Sequence, residues 1–464
     1  MSSTPTLKRR HRQDLTLRKS FLDNVKTKFM SSISKLRDIH PQPHAFPHTH
    51  AHDTKYNAHI PSIPTSKRRK PSIVHRTTHH IGTLPPEIIA HIFVLGSLAD
   101  AQFPVSVSHV CRYWRHLSLR TPSLWRTIHF SNQTPALRER MLRSRACSLD
   151  VVIRELPSRP FNFYEIQRYM CFITSHLHRW RSLDIKIMNY VPYLWNAVLS
   201  ECCSSNHSQA PTIEELSLVY RRNDDTKEFC LFSGYAPRLQ RLTIDGLRLT
   251  WLPSLFCNLT YLDYTHHPFS TGNQAVNEII HALTVSSRLV QLHLTYPTPP
   301  RPRRTSRVTS VAGKIRLVHL KYLSLRVESV DIPDELIQVA AVLFTPNLVQ
   351  LDFVDSFGIG GRGGQGQHEI AESELCGGAS FVNLAMFLTV YVFPTSVRVL
   401  RFDHRWYNEG VVPLLRPLLN LRTVVVRPEV GAMDRIFSAT KRRGKRRATQ
   451  RRGGLVVGQG PDVL

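Results

Sequence analysis

A loose repeat runs through most of the chain and limits the folds that it can adopt. From about residue 134 onward, stretches with helical periodicity alternate with short segments of the form L-x-x-L-x-L. The first positions of these segments are 146, 180, 213, 239, 259, 289, 320, 348, 397 and 421, mostly 20–35 residues apart. A strand and a helix that repeat at this spacing predict parallel strands joined by helical crossovers. The sequence therefore predicts stacked strand–helix units over residues 134–430.

Three of these units have the clearest pattern. In "TPALRERMLRSRACSLDVVI", Thr134 can cap a helix, and Leu149, Val151 and Ile153 alternate as in a strand. In "PDELIQVAAVLFTPNLVQLDFV", the predicted helix places Leu336 and Leu343 on one face and is followed by the alternating residues of a strand. The third unit runs from "NQAVNEIIHALTVSS" into "RLVQLHL".

These units resemble leucine-rich repeats, most closely in "LQRLTIDGLRL" and "LKYLSLRV". The usual repeat has Asn or Cys at its ninth position, whereas Leu247, Arg221, Glu328 and Ser356 stand there in this chain. The resemblance implies an irregular solenoid rather than one of regular curvature.

Strand residues that point away from the leucine positions would line one face of such a solenoid. That face mixes both charges with hydroxyls and an aromatic ring, a composition suited to binding protein, although a plain solvent-exposed face would look similar. The candidate substrate-binding residues are Arg241, Thr243, Asp245, Gln291, His293, Tyr322, Ser324, Arg326, Gln350, Asp352, Arg401 and Asp403.

A second, shorter block of apolar residues lies at 84–125. Pro85 and Pro86 suit the first turn of a helix, and Glu87 is favourable near the positive end of its dipole. An apolar face follows in "IIAHIF", and a second predicted helix places Val107, Val110, Trp114 and Leu117 in phase, after the connector "VLGSLADAQFPVS". Three short helices cannot bury this many aliphatic and aromatic side chains internally. The surplus predicts a surface for a partner, and a purely internal three-helix core is the alternative.

The order Leu-Pro-x-Glu, Val-Cys-x-x-Trp and Leu-Trp in this block resembles an F-box, over about residues 81–129. By that resemblance, the block docks onto the Skp-type adaptor of a cullin-RING ubiquitin ligase, so the expected partners include the adaptor and the cullin scaffold. An F-box followed by leucine-rich repeats also implies that the repeats hold a substrate protein. The candidate adaptor-binding residues are Leu84, Pro85, Glu87, Ile88, Ile92, Phe93, Val110, Cys111, Trp114, Leu117 and Trp125.

The two ends of the chain carry most of its positive charge. Residues 1–80 hold 16 Lys+Arg against 4 Asp+Glu, and residues 435–464 hold 9 against 1, so the ends supply +20 of the formal +27. Both are expected to be disordered basic tails, with a candidate amphipathic helix at 15–38 that suits a membrane surface or a partner helix. Their Lys/Arg clusters suit nuclear import or binding to nucleic acid, which makes a chromatin-associated protein the main alternative function.

The motifs of enzymes and metal sites are incomplete in this sequence. The segment "GIGGRG" (358–363) lacks the following helix of a dinucleotide site and is interpreted as part of a Gly-rich insertion at 357–379. No nucleophile elbow or P-loop is present, and "HEIAE" lacks the second histidine of a zinc protease. The histidines at 40, 44, 48, 50, 52 and 59 are interpreted as low-complexity sequence. We therefore predict no catalytic residue, no cofactor and no metal site.

The whole sequence thus predicts an α+β multidomain protein. It would contain a small all-α F-box (81–130), an irregular α/β leucine-rich-repeat-like solenoid (134–430) and basic tails. The longest apolar run, at 381–393, is too short to span a bilayer, and the eight cysteines include no Cys-x-x-Cys pair. The predicted function is substrate recognition within a Skp-cullin-F-box ubiquitin ligase, in the nucleus and/or the cytoplasm.

Overall fold

The computed structural model describes most of the chain between residues 81 and 427. The described residues are 81, 84–130, 134–155, 161–191, 193–203, 209–297, 313–327, 331–355, 382–403, 415, 421–427 and 457–458. They fall into two compact units: the first ends at Thr127 and also includes Glu139–Arg145, and the second contains Ile128–Arg138 and the residues from Ala146 onward. The candidate helix at 15–38 and the Gly-rich segment 357–379 lie outside the described residues, as does the segment 435–464 except for Val457–Gly458.

The first unit is helical. Its elements are α1 (Pro86–Ala99), α2 (Phe103–Ser108), α3 (Arg112–Leu119) and a 3₁₀ turn at Pro122–Trp125. Helix α1 begins where the sequence predicts, because proline at the first helical position has a suitable φ angle and needs no N–H partner.

Two expectations about this unit are corrected. Helix α1 continues into the segment interpreted as a connector and ends at Ala99, since the first half of that segment keeps the helical spacing of its apolar residues. The single second helix is divided in two at residues 109–111. Cys111 is extended, with φ −155°, and its Sγ accepts a bond from the backbone N–H of Trp114 at 3.5 Å, so it caps α3 rather than lying inside a helix.

The core of the first unit is small and rich in aromatic rings. Phe93 packs edge-on against Trp114, with ring centroids 5.0 Å apart, and against Phe103 at 6.5 Å. Gly96 allows this packing, because a methyl group there would overlap the ring of Phe103. The buried apolar residues of this core are Ile89, Phe93, Phe103, Val107, Trp114, Leu124 and Trp125.

A large parallel sheet dominates the second unit. The strands of this sheet lie side by side in chain order, and their pairings from β2 to β16 are parallel. Among the described residues its strands are, in spatial order, β1 (Thr127–His129), β2 (Leu149–Arg154), β3 (Trp180–Lys186), β4 (Glu215–Val219), β6 (Arg241–Asp245), β8 (Tyr261–Thr265), β9 (Gln291–Tyr296), β11 (Tyr322–Val327), β13 (Gln350–Asp355), β14 (Val399–Asp403), β15 (Thr423–Arg427) and β16 (Val457–Gly458).

Two further pairs of two-residue strands lie apart from this sheet. They are β5 (Glu228–Phe229) with β7 (Arg248–Leu249), and β10 (Ile315–Arg316) with β12 (Leu343–Phe344). Leu343, which the sequence placed on a helix, is therefore the first residue of β12.

Helices lie in many of the connections between neighbouring strands, since parallel pairing requires a crossover connection. The described helices are α4 (Thr134–Ser144), which has residues in both units, α5 (Phe163–Thr174), α6 (Leu194–Cys203), α7 (Pro253–Phe256), α8 (Asn273–Val285), α9 (Asp334–Val342) and α10 (Val382–Val390), with 3₁₀ turns at Leu177–Arg179 and Leu231–Gly234. None of the described helices is long and apolar enough to cross a membrane.

The leucines of the repeated motif form one buried row across the sheet. They occupy the same register position in eight consecutive strands, and each is at most 2% exposed. Burying such a side chain contributes about 1.5–3 kcal/mol, so the row is a major source of stability. Its members are Leu183, Leu216, Leu242, Leu262, Leu292, Leu323, Leu351 and Leu400. Of the ten motif positions found in the sequence, nine are followed directly by one of these parallel strands and one, Trp180, begins a strand, which confirms the α/β character of this region.

Candidate functional site

The outer side of helix α1 carries an apolar stripe formed by Ile88, Ile92, Leu95 and Leu98. Spacings of four and three residues place these side chains on one side of the helix. Ile88 is 49% exposed, Leu98 is 65% exposed, and Leu95 is also exposed. Leu84, just before the helix, is exposed as well. We call these four helical residues the α1 stripe.

The opposite side of α1 faces the core described above. Ile89 and Phe93 are buried there, so the helix has one inner and one outer apolar side. A helix that is apolar on both sides buries one within its own domain and leaves the other for a second surface.

The eleven predicted adaptor-binding residues are divided between surface and interior. Leu84, Pro85, Glu87, Ile88 and Cys111 are exposed, and Ile92, Val110 and Leu117 are half-buried.

Phe93, Trp114 and Trp125 lie in the core of the first unit. The indole N–H of Trp125 donates to the carbonyl of Ser118 at 2.9 Å, and the guanidinium of Arg143 lies 4.5 Å from the Trp125 ring. These three aromatic residues therefore stabilise the packing of the helices and do not form part of their exposed surface.

Leu95 and Leu98 are part of the stripe, but sequence reasoning missed them. They fell in the segment interpreted as a connector. The signal was present, because Ile88, Ile92 and Leu95 continue one helical spacing past Phe93.

In the second unit, residues of six neighbouring strands, most of them polar, line a groove of about 400 Å³. Six of the predicted substrate-binding residues lie in it: Thr243, Asp245, His293, Ser324, Arg326 and Asp352. Register explains why they come together, since Thr243, His293, Ser324 and Asp352 occupy the same register position in β6, β9, β11 and β13.

Asp263 fills the β8 position of the same row and also lines the groove. Sequence reasoning missed it together with Thr265 and Thr295. The signal was again available, because Asp263 has the same offset from its motif position, 259, as Thr243 has from 239.

The charges in the middle of the groove are paired with one another. The Arg326 guanidinium donates to both oxygens of Asp263, at 3.2 and 3.1 Å, and lies 3.3 Å from Nδ1 of His293. Burial and the nearby Arg326 charge lower the pKa of His293. At neutral pH the groove therefore presents a neutral imidazole beside a closed ion pair.

Both ends of the groove show similar pairing. Arg221 lies 3.2 Å from Asp245, whose burial raises its pKa despite that partner. On the other side, Arg401 approaches Asp352 at 3.8 Å, and the Gln350 amide donates to the same carboxylate at 2.9 Å.

The remaining predicted residues lie next to the groove. Arg241, Gln291, Tyr322 and Gln350 form the neighbouring register row, in which Arg241 stacks over the ring of Tyr261 at 4.2 Å. Arg401 continues the row of Asp352, and Asp403 ends strand β14.

Comparison with known families agrees with the helical unit. Residues 81–131 match the F-box-like family model, so the chain carries an F-box-like domain at that position. The match covers the helices α1 to α3, the α1 stripe and the core beneath it. No curated protein matches this chain.

Proposed function

We propose that this protein is the substrate-recognition subunit of a Skp-cullin-F-box ubiquitin ligase. The α1 stripe docks on the Skp-type adaptor, and the polar groove of the parallel sheet holds a substrate protein. The observation that carries the proposal is the F-box-like match at 81–131, together with an apolar helix face exposed within the matched segment.

The distribution of side chains in the helical unit supports docking through α1. Surface residues such as Leu84 and Ile88 give up unfavourable contact with water when a partner covers them. The buried Trp114 and Trp125 act indirectly, since they fix the angle at which α1 is presented. Apolar anchors held on a rigid element are the usual centre of a stable interface.

The order of strands and helices in the second unit supports a leucine-rich-repeat-like solenoid. Neighbouring strands follow one another along the chain, and their leucines stack in one row. The groove on the polar side, with a volume of about 400 Å³, has room for a few side chains of another protein. Its mixture of carboxylates, guanidinium groups and hydroxyls suits selective recognition more than strong apolar association.

In this proposal the protein makes no bond itself. It raises the rate of ubiquitin transfer by holding a substrate lysine close to the conjugating enzyme, which converts a bimolecular encounter into a local one. It would act in the nucleus and/or the cytoplasm. Association with nucleic acid through the basic tails remains the alternative, and it depends on segments outside the described residues.

The test is co-purification of the full chain with a recombinant Skp-type adaptor, using Ile88→Asp as the variant. Met386→Asp in helix α10 is a matched control, because Ile88 and Met386 are both 49% exposed. We expect a stoichiometric complex with the wild type and with Met386→Asp. For Ile88→Asp we expect affinity to fall at least about 100-fold, since a charge in an apolar interface removes about 3 kcal/mol.

Hydrogen exchange of the α1–α3 amides checks that the variant remains folded. Equal binding by both variants would show that α1 is not the docking surface. If the wild type itself fails to bind the adaptor, the ubiquitin-ligase proposal is wrong.

A further inference from the structure

The segment after strand β3 exposes three large side chains. Met188 is 57% exposed, Tyr190 is 51% exposed, and Tyr193, which directly precedes helix α6, is 65% exposed. We call these three residues the β3 patch. Tyrosine and methionine are enriched in protein interfaces relative to the rest of the surface, so their concentration in one segment indicates a binding surface. Sequence reasoning missed these residues, because they follow no helical or strand period.

Buried polar groups hold the backbone of this segment in place. The carboxylate of Glu155, which is 7% exposed, accepts the backbone N–H groups of Met188 and Asn189 at 2.6 and 2.8 Å. The hydroxyl of Tyr220 donates to the carbonyl of Val191 at 2.9 Å and accepts the N–H of the same residue at 2.8 Å. Because the backbone is already fixed, a partner that binds the patch does not have to order it.

The two tyrosines of the patch are also held in place. The hydroxyl of Tyr190 donates to the carboxylate of Asp224, and this bond raises the pKa of Tyr190 to about 12. The backbone of Tyr193 is left-handed, with φ +56°, a conformation that bulky residues rarely adopt. Its carbonyl accepts the N–H of Asn196, in the first turn of α6, at 3.1 Å. Such strain persists only where the surrounding structure fixes it, and it is concentrated at functional sites.

The segment adjoins the polar groove. Lys186, the last residue of β3, pairs in register with Val219, and Val219 pairs with Asp245. Both Val219 and Asp245 line the groove, so Lys186 extends one of its register rows by one strand. The N–H of Ile187 donates to the carbonyl of Val219 at 2.9 Å, which fixes the start of the segment against this end of the groove.

Two exposed cations near the patch lack an anionic partner. Lys186 and Arg222 form no ion pair among the residues that the structure describes. The arginines beside them differ, since Arg154 and Arg221 each pair with an aspartate, at 2.5 and 3.2 Å. This end of the groove therefore offers two positive charges to a partner.

The carboxylates of the same region are already engaged. Burial raises the pKa of Tyr220, the nearby Asp224 adds to that rise, and Arg222 opposes it, so both charges lie near this hydroxyl. Asp224 accepts the hydroxyl of Tyr190, and Glu155 accepts backbone N–H groups. A basic partner would thus find carboxylates in use, whereas an acidic partner would find two unpaired cations.

We propose that the β3 patch binds an acidic segment of a substrate protein through an aromatic or aliphatic side chain of that segment. The patch covers this apolar anchor, and Lys186 and Arg222 pair with neighbouring carboxylates of the substrate. Complementary charge selects the partner, while the buried anchor supplies most of the affinity. The inference rests on the proposed role of the groove in holding a substrate. It does not involve the α1 stripe, so it can fail while adaptor docking stands.

The test measures fluorescence anisotropy of labelled peptide pools titrated with the full chain at physiological salt. Each short synthetic peptide contains one tryptophan among Gly and Ser, together with Asp and Glu in the acidic pool, Asn and Gln in the neutral pool, or Lys and Arg in the basic pool. We expect the acidic pool to bind at least about tenfold more tightly than the neutral pool. Equal binding of these two pools, or preference for the basic pool, would overturn the proposal.

Charge reversal separates the patch from the general positive charge of the chain. The variant is Lys186→Glu with Arg222→Glu. The matched control is Arg238→Glu with Lys321→Glu, because these residues are also exposed without an ion pair in the described part of the chain, but precede β6 and β11. We expect affinity for the acidic pool to fall at least about tenfold in the variant and less than about threefold in the control. Equal losses would show non-specific attraction. Hydrogen exchange of the β3 and β4 amides checks that both proteins are folded.

Substitution of a tyrosine tests the apolar anchor. Tyr193→Asn removes the ring and keeps a residue that tolerates the left-handed backbone. Tyr235→Asn is the control, because Tyr235 is 43% exposed and precedes β6. We expect affinity for the acidic pool to fall at least about fivefold in Tyr193→Asn only, since aromatic anchors dominate such interfaces. Unchanged affinity in Tyr193→Asn would contradict the role of the patch.

Photo-crosslinking locates the peptide without any variant of the protein. A benzophenone amino acid replaces the tryptophan of the acidic pool, and mass spectrometry identifies the labelled residues. We expect labelling at Met188 in preference to Met386, a similarly exposed methionine of helix α10. Labelling that does not favour the β3 patch would overturn the proposal and leave the adaptor-docking test unaffected.

Discussion

The outer face of helix α1 and the groove on the parallel sheet present two different kinds of surface. On α1, Ile88, Leu95 and Leu98 expose a large part of their apolar side chains. In the groove, Arg326 and Asp263 already pair with each other, and Arg221 pairs with Asp245. A partner that covers α1 gains free energy from every apolar side chain that it buries. A partner in the groove must replace existing hydrogen bonds, so it gains selectivity more than affinity.

The two surfaces of this chain therefore suit different kinds of partner. A constant partner suits the apolar stripe, because strong binding there requires little geometric discrimination. A variable or transient partner suits the groove, where a poorly matched ligand leaves charges without partners. The following predictions test each side of this comparison.

The largest change in the free energy of unfolding is expected for a substitution in the buried core of the helical unit. Trp114→Ala removes an indole packed against Phe93 and should lower the free energy of unfolding of this unit by about 3–5 kcal/mol. Ile88→Lys, on the stripe, should change it by less than about 0.5 kcal/mol, because its side chain already meets water. Hydrogen exchange of the α1 and α3 amides in the full chain measures both changes. A large loss of stability for Ile88→Lys would mean that the stripe belongs to the protein's own core.

The next effect concerns the backbone that supports the groove strands. Gly246 follows β6 with φ +74°, and a methyl group there would overlap the carbonyl of Tyr220. Gly246→Ala should therefore destabilise the sheet unit by about 3 kcal/mol, the sum of left-handed strain and overpacking.

Gly272 is a control for backbone strain without this overlap. It has φ +59° and ψ −133°, a conformation that residues other than glycine rarely adopt, and open space where a Cβ would lie. Gly272→Ala should cost about 1–3 kcal/mol, from backbone strain alone. Chemical unfolding measures the free energies of both variants, and a loss below about 1 kcal/mol for Gly246→Ala would show that close contact with Tyr220 has no part in stability.

The smallest effect tests whether the groove charges act on one another. Arg326→Gln should raise the pKa of His293, because it removes a nearby positive charge while burial continues to lower that pKa. Arg401→Gln, three strands away in the same register row, should change it less. NMR titration of the imidazole C–H resonances, assigned with His293→Gln, measures both shifts.

Because folding lowers the pKa of His293, the protonation of this residue makes the stability of the protein depend on pH. As pH falls through the ordinary histidine value, the unfolded chain takes up a proton that the folded chain does not yet accept, so stability decreases. The contribution of His293 to this loss should be smaller in Arg326→Gln. A His293 pKa that does not respond to this substitution would contradict the pairing seen in the groove.

Much of the architecture could be read from the sequence, because the relevant signals are local and periodic. The spacing of leucines predicted the parallel strands, and Pro85-Pro86 marked the start of α1. The order of apolar residues around Trp114 identified the F-box-like domain, which the family match confirms. The spacing of apolar residues can be counted along the sequence, so these features can be predicted without knowledge of tertiary contacts.

Other features depended on which residues the fold brings together. Sequence spacing did not show that Cys111 divides the segment after α1 into two helices. It also placed Phe93, Trp114 and Trp125 among the adaptor-binding residues without separating core from surface. Burial depends on the packing of neighbouring elements, which a single helical pattern does not specify.

The sequence by itself determined the alternation of strand and helix, the apolar character of α1 and the row of residues from which the groove is built. Only the tertiary structure decided that Arg326 on β11 pairs with Asp263 on β8, with β9 between them. It also decided that His266, His267 and Glu278 come together after the end of β8. The physical reason is the range of the interactions. Helical and strand periods act over a few residues, whereas ion pairs and clusters of polar side chains form between positions that only the register of the sheet and the path of each crossover bring into contact.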